Sequence, residues 1–177
     1  MTRLAITLLI LISACGCGVD PTTVEQHDPW VIRTSFSDDA SWSAVRKLIS
    51  APQRDMGQEF YAYVQFMDDQ RFANLTPSEL VHSLPDDYPG FFCFVVDSVT
   101  LTKEDHPILV IGFSPNSVNV EDYQRTPNQT PLSEIQMFRA IPETIQSIEN
   151  NLSIANMDFK SFADSVDSDG VFRGFPR

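Results

Sequence analysis

The chain has 177 residues, is 42% hydrophobic and carries 24 acidic against 12 basic side chains, a formal net charge of −12 at neutral pH. That size and apolar content suit one domain with a substantial core. A surface this acidic repels nucleic acid and anionic lipid, which leaves plain solubility or a cationic protein partner as the electrostatic alternatives.

Arg3 precedes a continuous apolar run from Leu4 to Ile12, which has the length of a signal-peptide core and is too short to span a bilayer. Ile12-Ser13-Ala14-Cys15 resembles the bacterial lipobox, which implies a lipoprotein signal peptide over residues 1–14 and lipid attachment at Cys15. An ordinary secretory signal with an incidental cysteine is the alternative, since small residues before the cleavage point serve both. Gly16, where an aspartate would favour inner-membrane retention, tips the expected location to the outer membrane. The expectation is therefore a cell-membrane lipoprotein on the periplasmic side, touching the membrane through its N-terminal lipid only. Residues 15–28 lack periodicity and read as a tether that could extend on the order of 40 Å. Loss of residues 1–14 removes Arg3 alone, leaving 11 basic and 24 acidic side chains, a charge of −13.

Residues 29–177 are expected to form one domain. Trp30 to Phe36 (WVIRTSF) is β-branched and aromatic and reads as the first strand, and Ser37, Asp38 or Asp39 can cap the helix carrying Trp42, Val45 and Ile49. Tyr61 to Met67 (YAYVQFM) alternates Tyr61, Tyr63 and Gln65 with Ala62, Val64 and Phe66 as a second strand. Thr76-Pro77-Ser78-Glu79 is a capping box with proline at the first helical position, and Leu75 and Leu80 stand where a hydrophobic staple needs them.

Phe91 to Val99 and Pro107 to Phe113 are apolar strands whose short connector suits antiparallel pairing. Cys93, inside the first of these, reads as a small buried hydrophobe; with Cys15 and Cys17 it makes no disulfide framework. Ser114 to Gln136 is a polar loop, and Met137 to Ile141 resumes as a strand. Ile141, Ile145, Ile148 and Leu152 form one helical stripe, and Asp158 can cap a last helix stapled by Met157 and Phe162. The expected fold is a single α/β domain with a mixed sheet of about five strands flanked by helices.

The stretches RTSFSDDASW (33–42), YVQFMDD (63–69), FFCFVVDSVTLTKEDHPILVI (91–111) and SIENNLSIANMDFKSFADSVDSDGVFRGF (147–175) resemble a bacterial domain-of-unknown-function family, DUF6924. The resemblance implies one intact domain and supplies no catalytic residue. Two departures from the family pattern are the secretion signal, which many relatives lack, and a longer loop over 114–136.

Acidic residues gather at strand ends: Asp38 and Asp39 after the first strand, Asp68 and Asp69 after the second, Asp97 late in the third. If these strands run parallel, Asp38, Asp39 and Asp97 converge where open α/β sheets bind ligands and could hold a hard cation such as Mg²⁺. The opposing expectation is caps and turns. Asn150, Asn151 and Asn156 could read a ligand through their amides, or serve as caps at a joint between helices, asparagine tolerating the left-handed conformation such joints need. Asp167-Ser168-Asp169-Gly170 resembles the middle of a calcium loop but fails at both ends and reads as a turn. Arg33, Arg139 and Arg173 are expected to pair with acidic residues in or near the sheet.

No histidine has metal-ligand spacing, and no nucleophile elbow or P-loop occurs. The leading expectation is a non-enzymatic, lipid-anchored binding domain with no cofactor and a cationic protein partner, in the manner of an inhibitor or immunity protein. A metal- or phosphate-dependent enzyme or sensor using the strand-end aspartates is the alternative.

Overall fold

A computed structural model describes residues 28–55, 57–85, 88, 90–113 and 135–176. Cys15, Cys17, the signal segment and most of the 114–136 loop lie outside the described residues.

Six strands form a mixed sheet. In chain order these are β1 (Trp30–Arg33), β4 (Gln65–Met67), β5 (Phe92–Val96), β6 (Ile108–Gly112), β7 (Gln136–Ala140) and β8 (Val171–Phe172), with a separate hairpin of β2 (Gln53–Asp55) and β3 (Gln58–Phe60). The spatial order is β4-β1-β5-β6-β7-β8. β1 is parallel to β4 and β5, β6 is antiparallel to both neighbours, and β7 is parallel to β8. Only β6 therefore runs against the rest. The antiparallel β5–β6 pair follows from its connector, which is too short for a parallel crossover. That connector nevertheless holds a helix, α3 (Ser98–Thr102), because Asp97 caps it by accepting from the Thr100 N–H.

Helices cover both faces. On one face α1 (Asp39–Ser50), α4 (Ile145–Ser153) and α5 (Phe159–Ala163) bury Trp42, Val45, Ile49, Ile148, Leu152 and Phe162 against Val31, Phe94, Val110 and Phe138. On the other, α2 (Pro77–Ser83) and a 3-10 turn (Gln70–Phe72) bring Leu80 and Phe72 onto Ile32, Cys93, Val95 and Ile111. Successive strand residues serve opposite faces, so the central strand β5 is buried at every position.

The caps form locally as their residues require. Asp38 accepts from the Ser41 N–H, Thr76 and Glu79 make the reciprocal capping box, and Asp158 accepts from the Ser161 N–H. One close approach fixes the α5 dock: a Cβ at Gly112 would lie 2.5 Å from the Phe159 ring, so only glycine lets that ring sit on β6.

Several expectations change. The first strand ends at Arg33 rather than Phe36, and the third ends at Val96 rather than Val99, the residues after Asp97 forming α3. The second strand is shorter than 61–67: hydrogen bonding to β1 covers Gln65–Met67, although exposure still alternates back to Tyr61. At the α4–α5 joint the left-handed residue is Ala155 (φ 53°) rather than an asparagine. The asparagines instead satisfy the backbone around it, since the Asn151 C=O accepts from the N–H groups of Asn156 and Met157.

Candidate functional site

β1 leads to β4 on one side of itself, and β4 leads to β5 on the other, so the chain switches direction between β1 and β5. Open α/β sheets bind ligands at the carboxyl ends of such strands. Here the protein's own backbone occupies part of that end of β1. Thr34 extends the ladder, its N–H donating to Val96 O at 3.0 Å, and its own carbonyl accepts from the Asn74 N–H at 2.9 Å. Asn74 manages this with φ at 58°, a conformation asparagine tolerates. What remains at this end of the sheet is a charged surface.

Three arginines organise it. Arg33 is the last residue of β1 and its side chain is only 4% exposed. Its guanidinium donates through Nη2 to Asp39 (2.6 Å), through Nη1 to Asp68 (3.2 Å) and through Nε to Ser35 O (2.9 Å), and lies over the Phe36 ring. The second Asp68 oxygen accepts from Trp42 Nε1 at 3.0 Å. Asp68 thus ties β4 to β1 and α1, whereas Asp39, 89% exposed, reaches Arg33 from the solvent side.

Arg139 on β7 donates to both oxygens of Asp97 and to Pro107 O, clamping the end of β5 to the start of β6. Burial opposes ionisation of Asp97, but the hydrogen bonds from Arg139 and Thr100 outweigh it and hold the pKa below the ordinary value. Arg173, just after β8, serves Asp105, Asp167 and Asp169 together. Its hydrogen bonds draw the Asp169 pKa down to about 2. The Asp167–Gly170 segment is a turn, with Gly170 N–H donating to Asp167 O and Gly170 at positive φ.

The strand-end aspartates have separate employment. Asp38 caps α1, and the Ser41 N–H and hydroxyl lower its pKa. Asp39 sits on Arg33, and Asp97 caps α3 while holding Arg139. Among the described residues no group of three or more His, Cys, Asp or Glu is arranged to hold a metal ion. Asn151 Nδ2 donates to Ser147 O, Asn156 Nδ2 donates to Asn151 Oδ1 at 2.6 Å, and the Asn150 C=O accepts from the Ile154 N–H. The amides of Asn151 and Asn156 therefore hold the joint and each other.

Glu149 is a site residue that its place in an ordinary helical stripe does not announce. It is buried on α4, where it accepts from the Tyr63 N–H (3.3 Å) and the Ser153 hydroxyl (3.0 Å). Desolvation raises its pKa, with the Asp28 charge adding to the effect and the two hydrogen bonds opposing it. Beside it Tyr61 and Tyr63 are exposed, and their alternation with Ala62 and Val64 was the available signal.

Among the described residues no helix is long and apolar enough to cross a membrane. A family model described as a domain of unknown function, DUF6924, matches residues 28–175. No curated protein and no solved structure matches the chain.

Proposed function

The chain belongs to the DUF6924 family, and from that premise we propose that it is a non-enzymatic interaction domain that binds a basic protein partner, held by a lipid on Cys15 at the periplasmic side of a cell membrane. One observation carries the choice of partner. At the carboxyl end of the sheet the three arginines Arg33, Arg139 and Arg173 meet six aspartates, Asp39, Asp68, Asp97, Asp105, Asp167 and Asp169. The arginines are spent on holding strands together, and the surplus negative charge faces solvent. Such a field steers a cationic protein and repels nucleic acid. The Asn74 backbone bonded to Thr34 at the switch point takes room from a small molecule there and supports recognition by a surface.

The partner is tested by crosslinking the full chain in its native envelope and identifying what it captures. The expected capture is a protein of basic surface, weakened by added salt and by Asp39→Asn with Asp167→Asn. A partner without basic surface, indifferent to salt, would overturn the reading. The anchor has its own test: Cys15→Ser should move the chain from the membrane fraction to the soluble one. A wild-type chain whose mature N-terminus is not a lipidated Cys15 would refute the anchor.

A further inference from the structure

The six-stranded sheet ends on one side at β4, which among the described residues has β1 as its only strand partner. Gln65 turns its N–H to Pro29 O, so Val64 and Phe66, one residue to either side, direct their backbone N–H and C=O to the opposite, open edge. The extended stretch continues outward from β4. Exposed Tyr61, Tyr63 and Gln65 alternate with half-buried Ala62, Val64 and Phe66. Ahead of the first residue of β1, the Glu149 carboxylate takes the next ladder position by accepting from the Tyr63 N–H.

Proteins ordinarily blunt a sheet edge with a very short strand, a charge or a proline. β4 is short, at three residues, but YAYVQFM, residues 61–67, contains no charge and no proline. It presents instead Tyr63, 65% exposed, and Tyr61, 47% exposed, the residue type that most often anchors interfaces. Resting on the basic-partner reading above, we propose that this open edge receives an extended, lysine- or arginine-flanked segment of the partner, which adds to the sheet as a further strand.

The flanking charges select that occupant. Arg54 neutralises Glu59 and Arg71 neutralises Asp69. Among the described residues Asp28 has no ion-pair partner near the amino end, and Asp39 and Asp68 share the single cation Arg33 near the carboxyl end. Arg46 lies over the Phe66 and Trp42 rings, on the α1 face of the sheet. A second copy of the mature chain would bring the same carboxylates and, with 11 basic against 24 acidic side chains, its own charge of −13 against this edge.

The test is amide exchange on the full chain in detergent, with a synthetic peptide of alternating threonine and valine carrying two lysines at each end. At ten times its Kd the peptide should slow exchange at Val64 and Phe66 about tenfold. The same peptide N-methylated along one edge, or flanked by glutamates, should not, and Tyr63→Lys should weaken the lysine peptide without shifting unfolding. Salt-sensitive binding that leaves Val64 and Phe66 exchanging freely would overturn the docking edge and leave the acidic-surface reading standing. No salt-sensitive binding by any basic peptide would count against both. Slowing at these amides with protein concentration alone would assign the edge to a second copy and overturn the proposed occupant.

Discussion

Asp68→Ala is expected to destabilise the fold by about 2–4 kcal/mol and Asp39→Ala by less than about 1 kcal/mol, although both carboxylates sit on the same guanidinium. The difference comes from what else each holds. Removing Asp68 leaves the Trp42 indole N–H, on a side chain 3% exposed, without its acceptor, and a stranded buried donor costs about 1–3 kcal/mol. The lost Arg33 contact adds about 0.5–1 kcal/mol, small because Asp68 is 45% exposed and screened by water. Asp39 makes the shorter bond, to Arg33 Nη2, but stands 89% exposed, so water reaches its place when it is removed and the Arg33 guanidinium keeps Asp68 and Ser35 O. Urea unfolding reads the contrast: with a slope of about 2 kcal/mol per molar for a protein of this size, Asp68→Ala should lower the midpoint by about 1–2 M. In a Trp42→Phe background the cost of Asp68→Ala should fall by about 1 kcal/mol or more. Equal costs for the two alanines, or no coupling to Trp42, would refute this division of labour.

Gly112→Ala should cost about 1–3 kcal/mol by driving a methyl into the Phe159 ring, and nearly all of that cost should vanish in a Phe159→Ala background, as denaturant melts of the four proteins would show. Glu149→Gln tests the buried carboxyl. Because its folded pKa is raised, the folded state holds the proton more tightly than the unfolded one, and stability falls as pH climbs from the ordinary carboxylate range through the folded value. Glutamine keeps an acceptor for the Tyr63 N–H and stays neutral, so the variant should be more stable than the parent at neutral pH and lose that slope. A variant less stable at neutral pH would contradict the burial argument.

The parts of the fold written in local chemistry were legible in the sequence. The Thr76 capping box, the Asp38 and Asp158 caps and the Ile145–Leu152 stripe depend on residues three or four apart, and each formed. Arg33 and Arg139, and Arg173 beside the sheet, are expected to find carboxylates because a cation in or near a buried strand is normally paired. Which carboxylates was not readable, since Arg33 meets Asp68 across 35 positions and Arg173 meets Asp105 across 68. The β2–β3 hairpin was missed because QRD and QEF lack apolar alternation, and β8 because two residues carry no period. The helix α3 hid inside an apolar run whose strand ends at Val96 only because Asp97 turns to cap. Nothing local in the sequence marks Glu149 as buried, since the group that bonds it there, the Tyr63 N–H, is 86 positions away. At the candidate site the strand-end aspartates and the Asp38 cap are legible, while the capture of Asp39, Asp68 and Asp97 by arginines requires the folded sheet.

The surplus of carboxylates at the carboxyl end of the sheet is tested most directly by association kinetics between the full chain and its crosslink-identified partner, at low and high salt, beside Asp39→Asn with Asp167→Asn. Electrostatic recognition there predicts an association rate that falls about tenfold or more from low to high salt, and a variant that associates slowly at both while unfolding like its parent. Equal rates in both salts, with the variant indistinguishable from the parent, would contradict it.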